Sequence, residues 1–166
     1  MTTASGGSGF RRFALAFYAA PGVEAALIAL QDEAGQDVIL MLYGLWRAGR
    51  GEALAPEEAR KAADLAGEWT ARATQPLRAL RRAMKQPFRQ APAAEAEAAR
   101  REVKALELAM EMRLIAWLEA PPAPAAAQTA ASGELARRNL RLLGEASGRA
   151  GDPEPLLRLW EAWREA

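Results

Sequence analysis

The chain has 166 residues, 51% of them apolar and 26% charged, with a net charge of +1. That is the make-up of one globular domain, and so small a net charge argues against a protein that coats nucleic acid. Cysteine and histidine are absent, which excludes thiol nucleophiles, disulfides, Cys/His zinc sites, histidine-ligated haem and the Ser-His-Asp triad, and leaves carboxylates, Arg, Lys and Tyr to do any chemistry.

Residues 1–9 are small and polar and read as a disordered N-terminus. Phe10, Phe13 and Phe17 at i, i+3, i+7 predict a first helix over about 10–19. Arg11-Arg12 before an apolar stretch resemble a twin-arginine signal. Pro21-Gly22 and Glu24 break that stretch, however, and the reading kept is an amphipathic helix and a cytoplasmic protein. Pro21 is placed at the first position of helix two, whose stripe is Val23, Leu27 and Leu30. Gly35 is placed at its left-handed C-terminus, and Asp37 at the N-cap of helix three.

Val38 to Trp46 is apolar apart from the Tyr43 hydroxyl and Gly44. The run is about half the roughly 20 residues that span a bilayer, so it predicts a central core helix and no transmembrane segment. Gly44 then requires the close approach of another backbone or a large ring. Arg47 to Leu54 reads as a loop, and Pro56-Glu57-Glu58 opens helix four, carrying Leu65 and Trp69. Pro76 predicts a kink or break before a segment from Leu77 to about Lys85. Ala94 to Glu119 forms a long helix with Val103, Leu106, Met110, Leu114 and Trp117 as its apolar face and Glu97–Arg101 as an i, i+4 pair.

The Pro/Ala-rich tract 121–131 reads as a linker, and 132–166 as two short helices. No strand pattern or internal repeat is present. The expected fold is therefore all-α: a bundle of about five to six helices over 10–120 with a tethered C-terminal helical tail that is dispensable for folding.

Three clusters bear on function. Arg78, Arg81, Arg82, Lys85 and Arg89 fall at offsets 0, 3, 4, 7 and 11, and no acid lies between Glu68 and Glu95. Such a stripe suits a phosphate or an acidic partner; equally, it pairs with Glu102, Glu107 and Glu111 of the next helix. Asp64/Glu68 and Glu107/Glu111 are spaced to hold Mg²⁺ against a diphosphate, but facing water is the simpler reading, and no metal site or cofactor is expected. Gln31, Asp32, Gln36 and Asp37 form a polar turn between two apolar helices. That turn either caps them or floors a pocket for an anionic small molecule. Connectivity brings both features to one end of the bundle, so a contact of Asp32 or Asp37 with Arg78, Arg81 or Arg82 is expected. The binding residues so proposed are Gln31, Asp32, Asp37, Arg78, Arg81, Arg82 and Lys85.

Tyr18, Pro21-Gly22-Val23, Leu30-Gln31-Asp32, Gly35, Asp37-Val38 and Trp46, followed by Trp69 and Pro76-Leu77-Arg78, Leu80 and Arg81, form a pattern. It resembles a family of short bacterial proteins known as domain of unknown function 2390, over about Phe10 to Trp117. The resemblance implies a bacterial origin and one domain, and brings no reaction. The residues favour a non-enzymatic protein-interaction or regulatory module with an unidentified protein partner. The alternative is a small-molecule module, with or without catalysis, that holds an anionic or phosphorylated ligand between the arginine stripe and the Gln31–Asp37 turn.

Overall fold

The computed structural model describes residues 9–120, 129–149 and 151–166. Among them the chain forms α-helices and no strand, as expected: α1 (Gly9–Tyr18), α2 (Val23–Ala34), α3 (Val38–Gly49), α4 (Pro56–Trp69), α5 (Gln75–Ala83), α6 (Ala93–Glu119), α7 (Gly133–Ser147) and α8 (Glu154–Glu165). The segment 1–9, expected to be disordered, lies outside the described residues except for Gly9, which opens α1. The expected linker over 121–131 lies outside them except for 129–131.

The helix ends follow local chemistry. Gly35 adopts φ +64°, and its amide and that of Gln36 bond back to the carbonyls of Gln31 and Leu30, closing α2. Asp37 accepts from the Leu40 amide at 3.0 Å and starts α3. Pro21 differs from its expected place: it sits in the turn, and Gly22, at φ +81°, stands before Val23. The chain turns sharply through the left-handed Gly22, and α1 and α2 meet at 96°.

The core is built on α3, buried from Ile39 to Leu45. It also includes Arg47, which the sequence reading assigned to a loop. Its guanidinium donates to the Tyr43 hydroxyl at 2.7 Å and to Glu58 at 3.2 Å, while its Nε lies 2.6 Å from Glu52 without making a hydrogen bond, so the buried charge is paired although one N–H is left unsatisfied. With Arg47 held this way, α3 runs on to Gly49.

The two C-terminal helices belong to this core. α7 packs against both α3 and α4. A Cβ on Gly44 would lie 2.9 Å from Leu143 and 3.3 Å from Leu140, so the close approach there is made by leucine side chains of α7 rather than by the expected backbone or large ring; the nearest backbone atom, of Asn139, would be 3.8 Å away. Opposite, α4 offers Ala59, Ala62, Ala63 and Ala66 rather than Leu65 and Trp69 as its buried face. These small side chains let α7 come near. Asn139 of α7 is fully buried; it donates to the carbonyls of Gly44 and Glu52 and accepts from the Leu54 amide. In α8, Trp160 is fully buried, and Trp163 meets Phe13 and Phe17 at ring distances of 5.6 and 5.4 Å. Against the expected dispensability of residues beyond Glu119, α7 packs on both α3 and α4, and α8 packs on α2 and α7.

α6 corrects a second expectation. Of its expected apolar face only Leu114 is buried, while Leu106 and Trp117 are exposed; the buried positions are Glu107, Leu114, Ile115 and Leu118. The helix is long, no residue before Glu107 is buried, and only its C-terminal part reaches the core. Its local ion pair joins Glu97 to Arg100, not Arg101.

At Pro76 the helix neither breaks nor ends. α4 passes into α5 through a π-helical turn, Thr70–Thr74. Proline has no N–H for the carbonyl four residues back and its ring crowds that group. The widened turn, in which the Gln75 amide reaches the Thr70 carbonyl, relieves both problems.

Candidate functional site: a cleft between the π turn, α1, α2 and α6

The polar turn and the π turn meet directly. Asp37 spends one carboxylate oxygen on the Leu40 amide, and the other accepts from the Thr70 hydroxyl at 2.7 Å. Beyond Thr70, α5 carries Arg78 and Arg81 across to α6. Arg78 Nε lies 3.1 Å from Glu107 and its Nη2 lies 3.3 Å from Glu111. Arg81 donates to Glu107 at 2.5 Å. The expected contact of Asp32 or Asp37 with these arginines does not form: both oxygens of Asp37 are occupied, and Asp32 is exposed. The arginines take the carboxylates of α6, the other pairing that their spacing allows.

Between these elements lies a cleft of about 520 Å³. Its floor is Ala14, Leu42 and Ile115, all buried. Its lips carry Leu15, Ile28 and Leu108, which are 51%, 40% and 51% exposed. Tyr18, Glu24, Asp37, Thr70 and Glu111 contribute polar groups to the wall, and Arg81, Arg82, Lys104 and Glu107 line it as well. Of the binding residues expected from sequence, Gln31, Asp37, Arg78, Arg81 and Arg82 line the cleft. Asp32 and Lys85 are exposed and do not. A second, more polar cleft of about 590 Å³ shares Gln31, Asp37, Thr70 and Arg78 and adds Asp64, Glu68 and Arg149. The Asp37–Thr70 bond thus stands between two concavities.

The titratable groups of the first cleft differ in state. Burial alone would raise the carboxyl of Glu107, but the hydrogen bonds and charges of Arg81 and Arg78 outweigh it and hold it below the ordinary value, so it is firmly ionised. Burial pushes Glu111 up; the nearby charges of Glu107 and Asp37 add to this, and its single arginine, Arg78, only partly offsets it. Tyr18, desolvated and bonded to Glu24, is pushed up to about 12 and stays a neutral donor. Of these three groups, Glu107 is the carboxyl held ionised by its arginines, Glu111 the one shifted toward its protonated form, and Tyr18 a phenol. Among the described residues, no group of three or more acidic side chains is arranged to hold a metal ion; Glu68 pairs with Arg72 at the surface.

Sequence reasoning missed Tyr18, Thr70 and Lys104 as lining residues. A signal existed for Thr70, since a proline inside a helical pattern disturbs the turn before it. For Tyr18 and Lys104 the local pattern gave none, because their meeting depends on α1 and α6 running side by side.

Comparison with curated proteins and with solved structures gives no match. The family model described as "protein of unknown function (DUF2390)" matches residues 10–118, from α1 almost to the end of α6, and leaves α7 and α8 outside it. By that match, with the polar turn, the π turn and both arginine-bearing helices inside it, the chain belongs to the DUF2390 family, a family of unknown function.

Proposed function

We propose that this protein is a small-molecule-binding module whose ligand, an anion, is held between the arginine stripe and the Gln31–Asp37 turn. One observation carries the reading: the cleft opens between those two features and is lined by both. Its volume falls within the roughly 300–1,000 Å³ usual for small-molecule sites, and an apolar floor with a few convergent polar groups is the usual lining. The test is a thermal-shift screen of phosphates, nucleotides and isoprenyl diphosphates, with and without Mg²⁺. At about 100 times Kd a ligand should add about 2.7 kcal/mol, which for a chain of this size raises Tm by several degrees. A hit should vanish in Arg82→Glu, a substitution at an exposed position. No hit in either condition overturns the reading.

A second reading, a non-enzymatic module docking a protein partner of the bacterial cytoplasm, is favoured by α5. None of its residues is buried, and Leu80 on it, Phe88 after it and Leu106 across on α6 are exposed. A pull-down in which Arg78, Arg81 and Arg82 make no difference to what is recovered would count against it.

A further inference from the structure

We propose that the ligand of this cleft is an elongated amphiphile, an apolar chain ending in an anionic head that is a carboxylate or a phosphate. This rests on the reading of the cleft as an anion site and goes further by assigning the ligand's shape and polarity.

The argument begins with direction. The Phe10 amide bonds to Glu119, so the start of α1 lies against the end of α6 and the two run antiparallel. Ile115, beside α1, is therefore at the inner end of the cleft, and Lys104 stands three turns away, about 16 Å along the helix at ~1.5 Å per residue. The lining changes along that path. The floor at the inner part is Ala14, Leu42 and Ile115, Glu111 stands on the α6 path between, in a wall that also carries Glu24 and Asp37, and the outer part holds Arg81, Arg82 and Lys104 with Glu107.

Charge sets the polarity of the ligand. Arg81 is already satisfied by Glu107. Among the described residues, neither Arg82 nor Lys104 makes an ion pair or a side-chain hydrogen bond. The outer end thus offers two unspent cations to a single head group. The apolar lips indicate what lies behind that head. Single exposed leucines are ordinary. Here Leu15, Ile28 and Leu108 come from three different helices and surround one concavity, and it is their clustering that is informative. Among the described residues Tyr18 is the only aromatic side chain lining the cleft, so they offer no stacking platform that favours a flat base over a flexible chain.

Calorimetry on the full chain tests this with alkyl phosphates and alkyl carboxylates of rising length, used below their micelle concentrations, beside the matching alcohols and inorganic phosphate. Kd should fall about fourfold per added methylene until the chain fills the cleft, and each alcohol should bind at least about tenfold more weakly than the acid of its length. Ile28→Glu, at a lip, should abolish the dependence on length, and Arg82→Glu should abolish the preference for the acid. Both positions are exposed, so neither substitution threatens the fold. Inorganic phosphate binding as tightly as the long-chain phosphates would sink the amphiphile and leave the anion site standing. No binding of any anion would sink both. A chain-length dependence that survives Ile28→Glu would place the chain elsewhere and overturn the assignment.

Discussion

The α3–α4–α7 layer and the α5–α6 arm are held by different forces. In the first, Leu45, Ala66 and Leu140 are buried from three helices; of the polar intruders, Asn139 is hydrogen-bonded through both ends of its amide and Arg47 is charge-paired at close range. In the second, α5 buries nothing, and what joins it to α6 most specifically is two arginines on one buried glutamate. Apolar burial does not respond to charge screening or to protonation; ion pairs with partly exposed partners respond to both. The cleft lies on the seam, with its floor drawn from the buried core around α3 and its charged wall from the arm. A rigid apolar floor facing an adjustable ionic wall is a reasonable arrangement for a binding site.

The largest effect that breaks this comparison is truncation after Glu119. It removes the residues facing Gly44 and the alanine face of α4, so the cooperative unfolding transition in urea should be lost. A sharp transition with an undiminished m value would show that the layer closes without α7. Next is Leu45→Ala, a fully buried position, expected to cost about 2–5 kcal/mol in chemical denaturation. A cost below about 1 kcal/mol would remove α3 from the centre.

Glu107→Gln tests the arm. The amide keeps one acceptor oxygen where the carboxylate offered two, and the charge is lost, so about 1.5–3 kcal/mol should go. The loss should shrink in high salt, whereas that of Leu45→Ala should not. Equal salt responses would mean that the two regions are not distinct.

The smallest effect sharpens the ionic side. Glu111 has its carboxyl raised in the fold, so its contribution is complete below the ordinary glutamate value and is lost as pH rises through the folded one. Glu107 is lowered, so its contribution is present above the ordinary value and is lost as pH falls through the folded one. Glu111→Gln should therefore remove a decline in stability on the alkaline side of the ordinary glutamate pKa and leave the acid-side loss intact. A stability–pH curve with an unchanged alkaline limb would show that Glu111 is ionised throughout.

What the sequence disclosed and what it concealed divide along the same seam. Gly35, Asp37 and the ends of α6 were legible because a left-handed glycine, a side-chain cap and a prolyl stop act within a few residues. The position of α7 was not, since it depends on Asn139 finding Gly44 and Leu54, 95 and 85 residues away along the chain. Arg47 read as a loop residue because a charge beside Gly49 looks exposed until Tyr43, Glu52 and Glu58 surround it. The arginine stripe and the polar turn were correctly brought to one neighbourhood by connectivity. The partner actually chosen, Glu107, depended on the return path of α6 after Pro87 and Pro92, which nothing local specifies.

The π turn has one more consequence, best put in terms of a screw. Helical residues advance by about 100° each, so anything that changes the number of residues per turn resets the angular phase of all that follows. Pro76 touches neither Glu107 nor the cleft. Yet it is the reason the turn before it is wide, and the width decides which side of α5 faces α6. With Pro76→Ala the turn is free to tighten to the ordinary pitch, and α5 would then be rotated by about 100° about its own axis. Arg78 and Arg81 would swing away from Glu107, leaving that buried carboxylate without cations and the outer wall of the cleft without its fixed charge. The aim of the arginines is thus set by a side chain with no polar atom.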